Sequence, residues 1–510
     1  MRRIILIYIL AFVPFASRAQ GLGEDKITSI FKAITSMYVD SVDEEALVDA
    51  AINGMISTLD PHSTYLPRHL AIKAKQELES EYTGYGFEAT VIGDTLTVIR
   101  TQCDGPADKA GLRPGDRILS IANIPTYGKS IDRKGIDNLM QIYKGYKLNF
   151  KVIQSAKGQP KILKIRSGKV QHSTVNDAFI INDNIGIIAI SIFGQETGTE
   201  FRQTLQKIVK MGAKKLIIDL RNNRGGYVGS VSEIASCLIS EEIDAVNIVS
   251  RDGKSTPYPT TYMSDVFTGE LVILVDGNTA SSAELLAAAV QDCDRGVVIG
   301  RPTYGKSLSQ KTIRISDGSE LLLSTSKCHS PSGRCIQREY HIDHKAYREA
   351  ARNRIYSPLC TEPDSAAPLF HTLHRHRPVY GNSGVIPDIC IRLDTLGQEI
   401  LFERLVENRV FDYTAALTYK LTQGNPNAIS DYGIAERICR TARQAGINCE
   451  IIEILEAPLI MARMKAEIER QKDCSTNIIM HTYKYDKDVL QAIRLLFDKK
   501  EYNKILKIEE

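Results

Sequence analysis

The sequence predicts a multidomain α/β protein, and three stretches of the chain carry that expectation. From about Asn182 apolar runs alternate with helical patterns: "NIGIIAISIF", "TGTEFRQTLQKIVKMG", "AKKLIIDL", "GSVSEIASCLIS", "GELVILVDG", "SSAELLAAAVQDC" and "GVVIG". Strands alternating with amphipathic helices in this way stack into an α/β layered core. Upstream, "YTGYGFEATVIGDTLTVIRTQCDGPADKAGLRPGDRILSIANIPTYG" breaks short β-branched runs with Gly and Pro turns around one short helix, "PADKAGL". That rhythm reads as a small β-rich module ending near Ser167. Past Leu396 the patterns become helical, most clearly in "GQEILFERLVENRVFDYTAALTYKL" and "EAPLIMARMKAEIERQ".

The remaining elements follow in order. A chain of 510 residues, 43% hydrophobic and 25% charged, is ordinary globular material with room for about three domains. Its first residues, "MRRIILIYILAFVPFASRAQ", set two arginines before an apolar stretch and then small residues at Ser17 and Ala19. This is the pattern of a secretory signal peptide cleaved near Ala19, and the apolar run is short for a membrane span. A periplasmic or otherwise exported protein is expected, with no transmembrane anchor after cleavage. Removing Arg2, Arg3 and Arg18 with that segment brings the formal charge from +3 to zero, which favours neither nucleic acid nor an anionic membrane as partner. All ten cysteines lie downstream, without a Cys-x-x-Cys pair. In an oxidising compartment Cys328 with Cys335, and Cys439 with Cys449, are the nearest pairs in sequence. "EDKITSIFKAITSMYV" and "DEEALVDAAINGMISTL" read as two amphipathic helices; "DPHSTYLP" breaks the pattern before a further short helix that runs to about Glu81.

Chemistry concentrates where strands hand over to helices or loops. "TASSAE", residues 279–284, joins the apolar run "LVILVDG" to a helix, and the first amides of a helix lack internal partners and carry its positive dipole end. Ser281 or Ser282 there is either a nucleophile beside ready donors for an oxyanion, or an ordinary N-cap. "GRPTYGKSLSQ" supplies Lys306, and Gln310 four residues on. "LIIDLRNNRGGYVGS" follows a buried strand with Gly225 and Gly226, whose amides can turn outward with no Cβ in the way and serve an oxyanion hole.

These motifs, in the order "LDPHSTYL", "LIIDLRNNRGG", "GNTASSAELLAAAVQD", "GRPTYGKSLSQ", "SDGSELLLSTSKCHSPSGRCIQ" and "GNSGVIPD", resemble the C-terminal processing peptidases, or tail-specific proteases, over roughly residues 25–395. The resemblance implies a PDZ domain for the β-rich module and a core related to the crotonase and Clp protease folds. It puts the nucleophile on Ser281, the general base on Lys306 and the lysine-orienting amide on Gln310. The oxyanion hole falls on the amides of Ser282 and of Gly225 or Gly226. A lysine in apolar surroundings loses hydration, so its pKa falls and the neutral amine can take the serine proton. Asp292 has been discussed in the family as a third partner, but eleven residues along one helix place it roughly 16 Å from Ser281, so a structural pairing is expected instead. Three departures stand out: Arg224 before the Gly pair, where it alters the oxyanion loop or pairs with a substrate carboxylate; "CDR" after Asp292; and the basic stretch "HTLHRHR". His371, His374 and His376 in that stretch read as a solvated basic loop rather than a metal cluster.

A PDZ module binds extended peptides by strand addition and captures the terminal carboxylate on a Gly-rich loop. "TGYGFEATV" is the matching loop, with Tyr85, Gly86 and Phe87 as substrate-binding residues, and the helix Ala107 to Leu112 is expected to line the slot for the last side chain. The expected organisation is a signal peptide at 1–19, N-terminal helices at 20–80, a PDZ-like domain at 81–167, a serine peptidase core at 168–396 and a helical extension at 397–510. The expected function is an exported serine endopeptidase that cleaves unstructured C-terminal tails of envelope proteins. No cofactor or metal is implied, and a homo-oligomer is compatible with the sequence. Two alternatives are a catalytically weak PDZ peptide-binding scaffold, and an acyl hydrolase or lyase, which leaves the PDZ module without a role.

Overall fold

The computed structural model describes residues 21–508 apart from 80, 129–132, 155–157, 172, 183, 341–342, 356–366 and 394–396. The expected signal peptide and its cleavage point near Ala19 lie outside the described residues. The chain divides into two compact units, one up to Leu59 and one from Asp60 onward. The first holds two helices, α1 (Gly21–Met37) and α2 (Glu44–Ile56). α2 begins where Asp43 accepts a hydrogen bond from Ala46 N, with Glu44 and Glu45 placed at the positive end of its dipole.

The second unit opens with β1 (Thr64–Leu66) and α3 (Arg68–Leu78) and then enters the β-rich module through β2 (Glu81–Gly84). The module's sheet contains β3 (Phe87–Ile92), β4 (Thr95–Thr101), β5 (Arg117–Ile121), β6 (Ile124–Pro125), β7 (Lys147–Ile153) and β8 (Lys161–Arg166). Their order is β3-β4-β5-β7-β8, with β6 on β5, so β3 is an edge strand. The helices are α4 (Pro106–Lys109) and α5 (Arg133–Ile142). On leaving, β9 (Gly168–Gln171) pairs with β2, closing the module at its base.

A six-stranded sheet forms the centre of the unit. It contains β10 (Val175–Ile181), β11 (Ile185–Ile190), β12 (Lys215–Asp219), β15 (Leu271–Val275), β16 (Val297–Gly300) and β21 (Ile389–Cys390), in that order. All neighbours are parallel except β10 against β11. The register sorts its side chains by face. Ile188, Ile218, Ile273 and Val298 are in register and point into one core with helices α6 (Thr197–Lys210), α7 (Gly229–Leu238) and α8 (Ser282–Asp292). The adjacent row, Ile187, Ile217, Val272 and Val297, points into the other. Strands buried on both faces read as continuous apolar runs rather than alternating ones, as "KLIID" and "LVILV" do.

A second sheet follows. It contains β13 (Asp244–Ser250), β14 (Ser255–Pro259), β17 (Leu308–Arg314) and β18 (Glu320–His329), in the order β1-β18-β13-β14 with β17 also on β18. Then follow α9 (His344–Ile355) and the hairpin β19 (Leu369–His371) with β20 (Pro378–Tyr380).

The C-terminal helices are α10 (Gln398–Glu407), α11 (Val410–Thr422), α12 (Asp431–Gln444), α13 (Ile451–Leu455), α14 (Pro458–Arg470), α15 (Ile478–Thr482), α16 (Lys487–Phe497) and α17 (Lys499–Leu506). The first five of these share one core. α16 and α17 supply Val489, Ala492, Leu495, Leu496, Tyr502 and Leu506 to the second face of the central sheet. Each such fully buried aliphatic side chain is worth about 1.5–3 kcal/mol. The extension is therefore the third layer of the central sheet. It also grips the β-rich module: Arg100 pairs with Asp412, Arg409 with Glu88 and Lys420 with the fully buried Asp116.

The cysteines pair differently from the sequence expectation. Cys103 in the β-rich module is bonded to Cys474 after α14, 371 residues away. Cys328 and Cys335 are separate thiols, as are Cys439 and Cys449, although the Sγ atoms of the latter two lie 3.3 Å apart. Spacing in the chain reports local closeness only, and this bond joins two domains.

Alkylation of the unreduced protein followed by mass spectrometry is expected to show the Cys103–Cys474 link and to label Cys328 and Cys335 only after unfolding. Cys474→Ser should lower unfolding stability by about 2–4 kcal/mol in denaturant titrations.

Candidate active site

The junction from β15 to α8 is pinned before it reaches Ser281. Asp276 accepts from Asn278 N, from Thr279 N and Oγ1, and from Asn222 N across the neighbouring loop. Ala280 N donates to Asn223 O at 2.9 Å, which holds the 276–281 and 221–226 loops side by side. Ser281 is then forced to φ 57° and ψ −122°, a region non-glycine residues rarely occupy. The structure uses Ser281 as the helix N-cap position and Ser282 as the first helical residue.

One carboxylate organises the turn. Glu284, fully buried, accepts from Ser281 N at 2.8 Å and Lys306 N at 2.8 Å on Oε2, and from Gly305 N at 2.6 Å and Thr303 Oγ1 on Oε1. Ser281 N and Lys306 N thus share a single oxygen and lie no more than twice 2.8 Å apart. Burial raises the Glu284 carboxyl pKa, and the Thr303, Lys306, Gly305 and Ser281 donors oppose that rise without cancelling it.

Lys306 Nζ donates to Gln310 Oε1 at 2.9 Å. Gln310, on β17, donates through Nε2 to His62 O at 2.7 Å. A carbonyl can only accept, so that bond fixes the amide with its oxygen toward Lys306. The turn bearing His62 is held by Asp60, which accepts from His62 N, Ser63 N, Ser63 Oγ and Ser324 Oγ of β18. Burial pushes the Lys306 ammonium below its usual pKa, while Asp60, Glu284 and Cys328 pull it back up. His62 is driven to about 4 by burial and then by the charge of Lys306, so it is neutral at pH 7.

Gly225 and Gly226 lie against this turn at φ 88° and 145°. A Cβ on Gly225 would stand 2.7 Å from Ala280 O and 2.8 Å from Ser282 N, and one on Gly226 would stand 2.0 Å from Phe193 O, so neither position admits a side chain. Gly225 N donates to Asn223 Oδ1, whereas the amides of Ser282 and Gly226 have no acceptor among the described residues. Ser282 Oγ donates to Gly226 O at 2.8 Å.

Other sequence expectations meet mixed outcomes. Asp292 is fully buried and pairs with Arg334 at 2.8 Å and with Ser330 Oγ, the structural pairing expected of it. In the β-rich module a cavity of about 470 Å³ lies between β3, α5 and α3, and Gly86, Phe87, Ile136 and Met140 are among its lining residues. Tyr85 is not among them: its ring is buried against Phe150 in the module's core, and its hydroxyl donates to Tyr143 O. The expected slot helix is also corrected. Ala107 and Leu112 belong to that same core, and α5 is the helix that faces β3. α4 is one short turn, while the longer α5 has an amphipathic stripe to offer. His374 pairs with Glu241 at 3.2 Å, so an acid does stand beside the basic stretch; no group of three or more potential metal ligands occurs among the described residues. Glu284, Thr303, Asp60 and His62 went unassigned in the sequence reading. The only signal for Glu284 was its place three residues after an N-cap serine.

The class defined by this fold and junction is a serine peptidase carrying a PDZ domain. Residues 184–344 match the model of peptidase family S41, residues 98–141 that of a PDZ domain, and residues 16–69 that of the activating protease CtpB N-terminal domain. The carboxy-terminal processing protease CtpB of Bacillus subtilis (strain 168) is 29% identical over 335 residues, 64% of this chain and 69% of its own length. A probable CtpA-like serine protease of Staphylococcus aureus (strain N315) is 27% identical over 340 residues, 65% of this chain and 67% of its own. Among solved structures, a photosystem II D1 C-terminal processing protease is 26% identical, covers 62% of this chain and 84% of its own, and gives a TM-score of 0.35. Residues 184–344 are thus an S41 peptidase domain, and CtpB- and CtpA-like C-terminal processing proteases are homologues of this chain.

Glu284→Gln keeps the shape of the side chain but turns an acceptor into a donor facing N–H groups. It is expected to lower kcat about 10²-fold, as small misplacements of reacting groups do, with KM within about twofold and the fold intact by circular dichroism.

Proposed function

We propose that this S41 peptidase is exported, captures the C-terminal tails of envelope proteins on its PDZ module, and cleaves them with Ser281 as nucleophile and Lys306 as base. The observation that carries the reading is the shared Glu284 oxygen, which ties the Ser281 and Lys306 backbones to one buried atom. The strained turn presents Ser281 at the start of α8. Neutral Lys306 takes the Oγ proton as Oγ attacks the scissile carbonyl, then returns it to the leaving amine. Gln310 accepts one Lys306 hydrogen, which aims the remaining lone pair. The oxyanion receives the amide of Ser282 and, from the glycine pair, that of Gly226, because the Gly225 amide is already committed to Asn223. Water then releases the acyl-enzyme by the same route in reverse.

Tail capture is supported by the open edge of β3 facing α5, to which an extended peptide can add as a strand. Gly86, at φ 73°, and Phe87 stand at the head of that groove. Export is supported by the pattern of the first twenty residues and by the Cys103–Cys474 bond, which persists in an oxidising compartment.

Incubation of an unfolded protein with the wild type, Ser281→Ala and Lys306→Arg tests the mechanism. Arginine keeps the charge but does not release its proton, so Lys306→Arg should be about as inactive as Ser281→Ala while still binding tail peptides. Substantial activity in Lys306→Arg would remove the lysine as base. Because burial lowers the Lys306 pKa, wild-type kcat/KM should rise with pH and level off below the pH at which an ordinary lysine titrates. Amidating the C-terminus of a peptide substrate should raise KM markedly. Equal turnover of amide and free acid would remove the tail-capture reading.

A further inference from the structure

The segment carrying Lys306 is walled by arginines that the mechanism does not use. Tyr304, two residues before Lys306, donates through its backbone N–H to Thr279 O at 3.0 Å, so its ring stands beside the Ser281 turn. Arg338 comes from the stretch after β18. Its Nε donates to Tyr304 O at 2.7 Å, and its guanidinium stacks 4.3 Å from the Tyr347 ring and 5.6 Å from the Tyr304 ring. A Cβ on Gly305 would stand 2.4 Å from Arg338 Cγ, so the arginine presses on the residue next to Lys306. Its Nη2 is buried without a hydrogen-bond partner.

Three further arginines join it. Arg224 and Arg348, both exposed, act electrostatically on the Tyr304 phenol together with Arg338. Arg354, on α9, is pushed down to about 10 by burial and then by Arg338. None of the four makes an ion pair among the described residues. α9 brings Lys345, Arg348, Arg352 and Arg354 against a single acid, Glu349, and that acid faces Lys345, while Arg352 reaches Glu407. The one carboxylate acting on both Tyr304 and Arg354 is Glu284, and its two oxygens are already taken by four donors. Positive charge is thus gathered beside the site from three separate segments, with no ion pair to these four arginines among the described residues. Arg224 sits on the oxyanion loop itself, directly before Gly225.

We propose that Arg224, Arg338 and Arg348 form an anion-reading rim, so that this peptidase selects peptide bonds with an aspartate or glutamate side chain within a few residues of the cut. The selection rests on the assignment of Ser281 and Lys306 to the reaction. Arg338, fixed by stacking and by Tyr304 O, is a preorganised charge behind the rim, with its Nη2 buried. Arg224 and Arg348 add charge from the solvent side. A carboxylate entering there replaces water on these two exposed guanidinium groups, which have no ion-pair partner among the described residues, and planar guanidinium is suited to bind it in two-point fashion.

The test digests an unfolded protein with the full mature chain, maps the cuts by mass spectrometry, and then compares matched peptides carrying Glu or Gln beside the mapped bond. The wild type is expected to favour the Glu peptide by about fivefold to tenfold in kcat/KM at low ionic strength, with the ratio shrinking as salt is added. Arg348→Glu, on an exposed face and so compatible with folding, should invert the preference toward a Lys peptide; Arg224→Glu should do the same. Loss of packing alone would lower all three peptides together and leave their ratios unchanged, which would overturn the proposal. So would Ser281-dependent cleavage by the wild type with equal Glu and Gln rates. Absence of any Ser281-dependent cleavage would instead overturn the peptidase mechanism on which the rim depends.

Discussion

A single buried carboxylate decides whether the Ser281 turn and the Lys306 segment can meet. Glu284 belongs to the first turn of α8, yet it binds the backbone of Ser281 before it and of Gly305 and Lys306 on a loop 21 and 22 residues later. Withdrawing a carboxylate from water costs several kcal/mol, and hydrogen bonds to a charged group return about 1.5–3 kcal/mol each. With four donors and the positive end of a helix dipole beside it, the charge is tolerated, although burial still pulls its pKa upward. Asp276 does the same for the neighbouring loop, gathering Asn222, Asn278 and Thr279. Together they hold the Ser281 turn, the Lys306 segment and the glycine pair in one place.

The choice of an amide beside Lys306 follows from the same electrostatics. A carboxylate at position 310 would orient the ammonium equally well but would stabilise its charge and raise its pKa. Gln310 orients without charge, and burial is left free to lower the pKa. Orientation of that amide is delegated in turn to the carbonyl of His62, and the turn bearing His62 is fixed by Asp60 onto β18. Asp60 lies close enough to oppose the lowering at Lys306, and its own pKa is lowered by donors that keep it ionised. The site therefore depends on a short "DPHS" stretch more than two hundred residues before Ser281 in the chain.

What the sequence made legible was whatever is local. Continuous apolar runs at Leu216–Ile218 and Leu271–Val275 announced strands covered on both faces, and the placement of "TASSAE" announced a helix start with exposed amides. The order of motifs brought Ser281, Lys306, Gln310 and the glycine pair together on one reading. Long-range pairings were hidden. Nothing near Cys103 points to Cys474, and neighbouring cysteines such as Cys328 and Cys335 are the more obvious partners in a linear search. In the β-rich module the burial of the Tyr85 ring and the misplaced slot helix at Ala107–Leu112 have one cause. Tyr85, Ala107 and Leu112 all join the module's one core, and Gly-Pro punctuation does not report which apolar residues face that core. The helix that does face the groove, α5, has a strong amphipathic pattern that was passed over in favour of the Gly-Pro punctuation beside it.

The C-terminal helices are where sequence order misleads most. They come last and look like an appendage, yet α16 and α17 pack onto one face of the central sheet. Their acids also reach the catalytic loops. Arg221, directly before Asn222 and the glycine pair, is clasped by Asp219 and by Asp486 and Asp488 at the start of α16, and Arg301, at the head of the Lys306 segment, pairs with Glu403 of α10 and Asp488. Taking the extension away would expose Ile187, Ile217 and Val272 to water, leave Arg301 without its acids and leave Arg221 with Asp219 alone, one arginine at the root of each loop that builds the site. The same extension holds the β-rich module through Asp412, Arg409, Lys420 and Cys474. The module and the central sheet are thus held in register by one shared layer, which also lines the cavity beside β3 through Arg409.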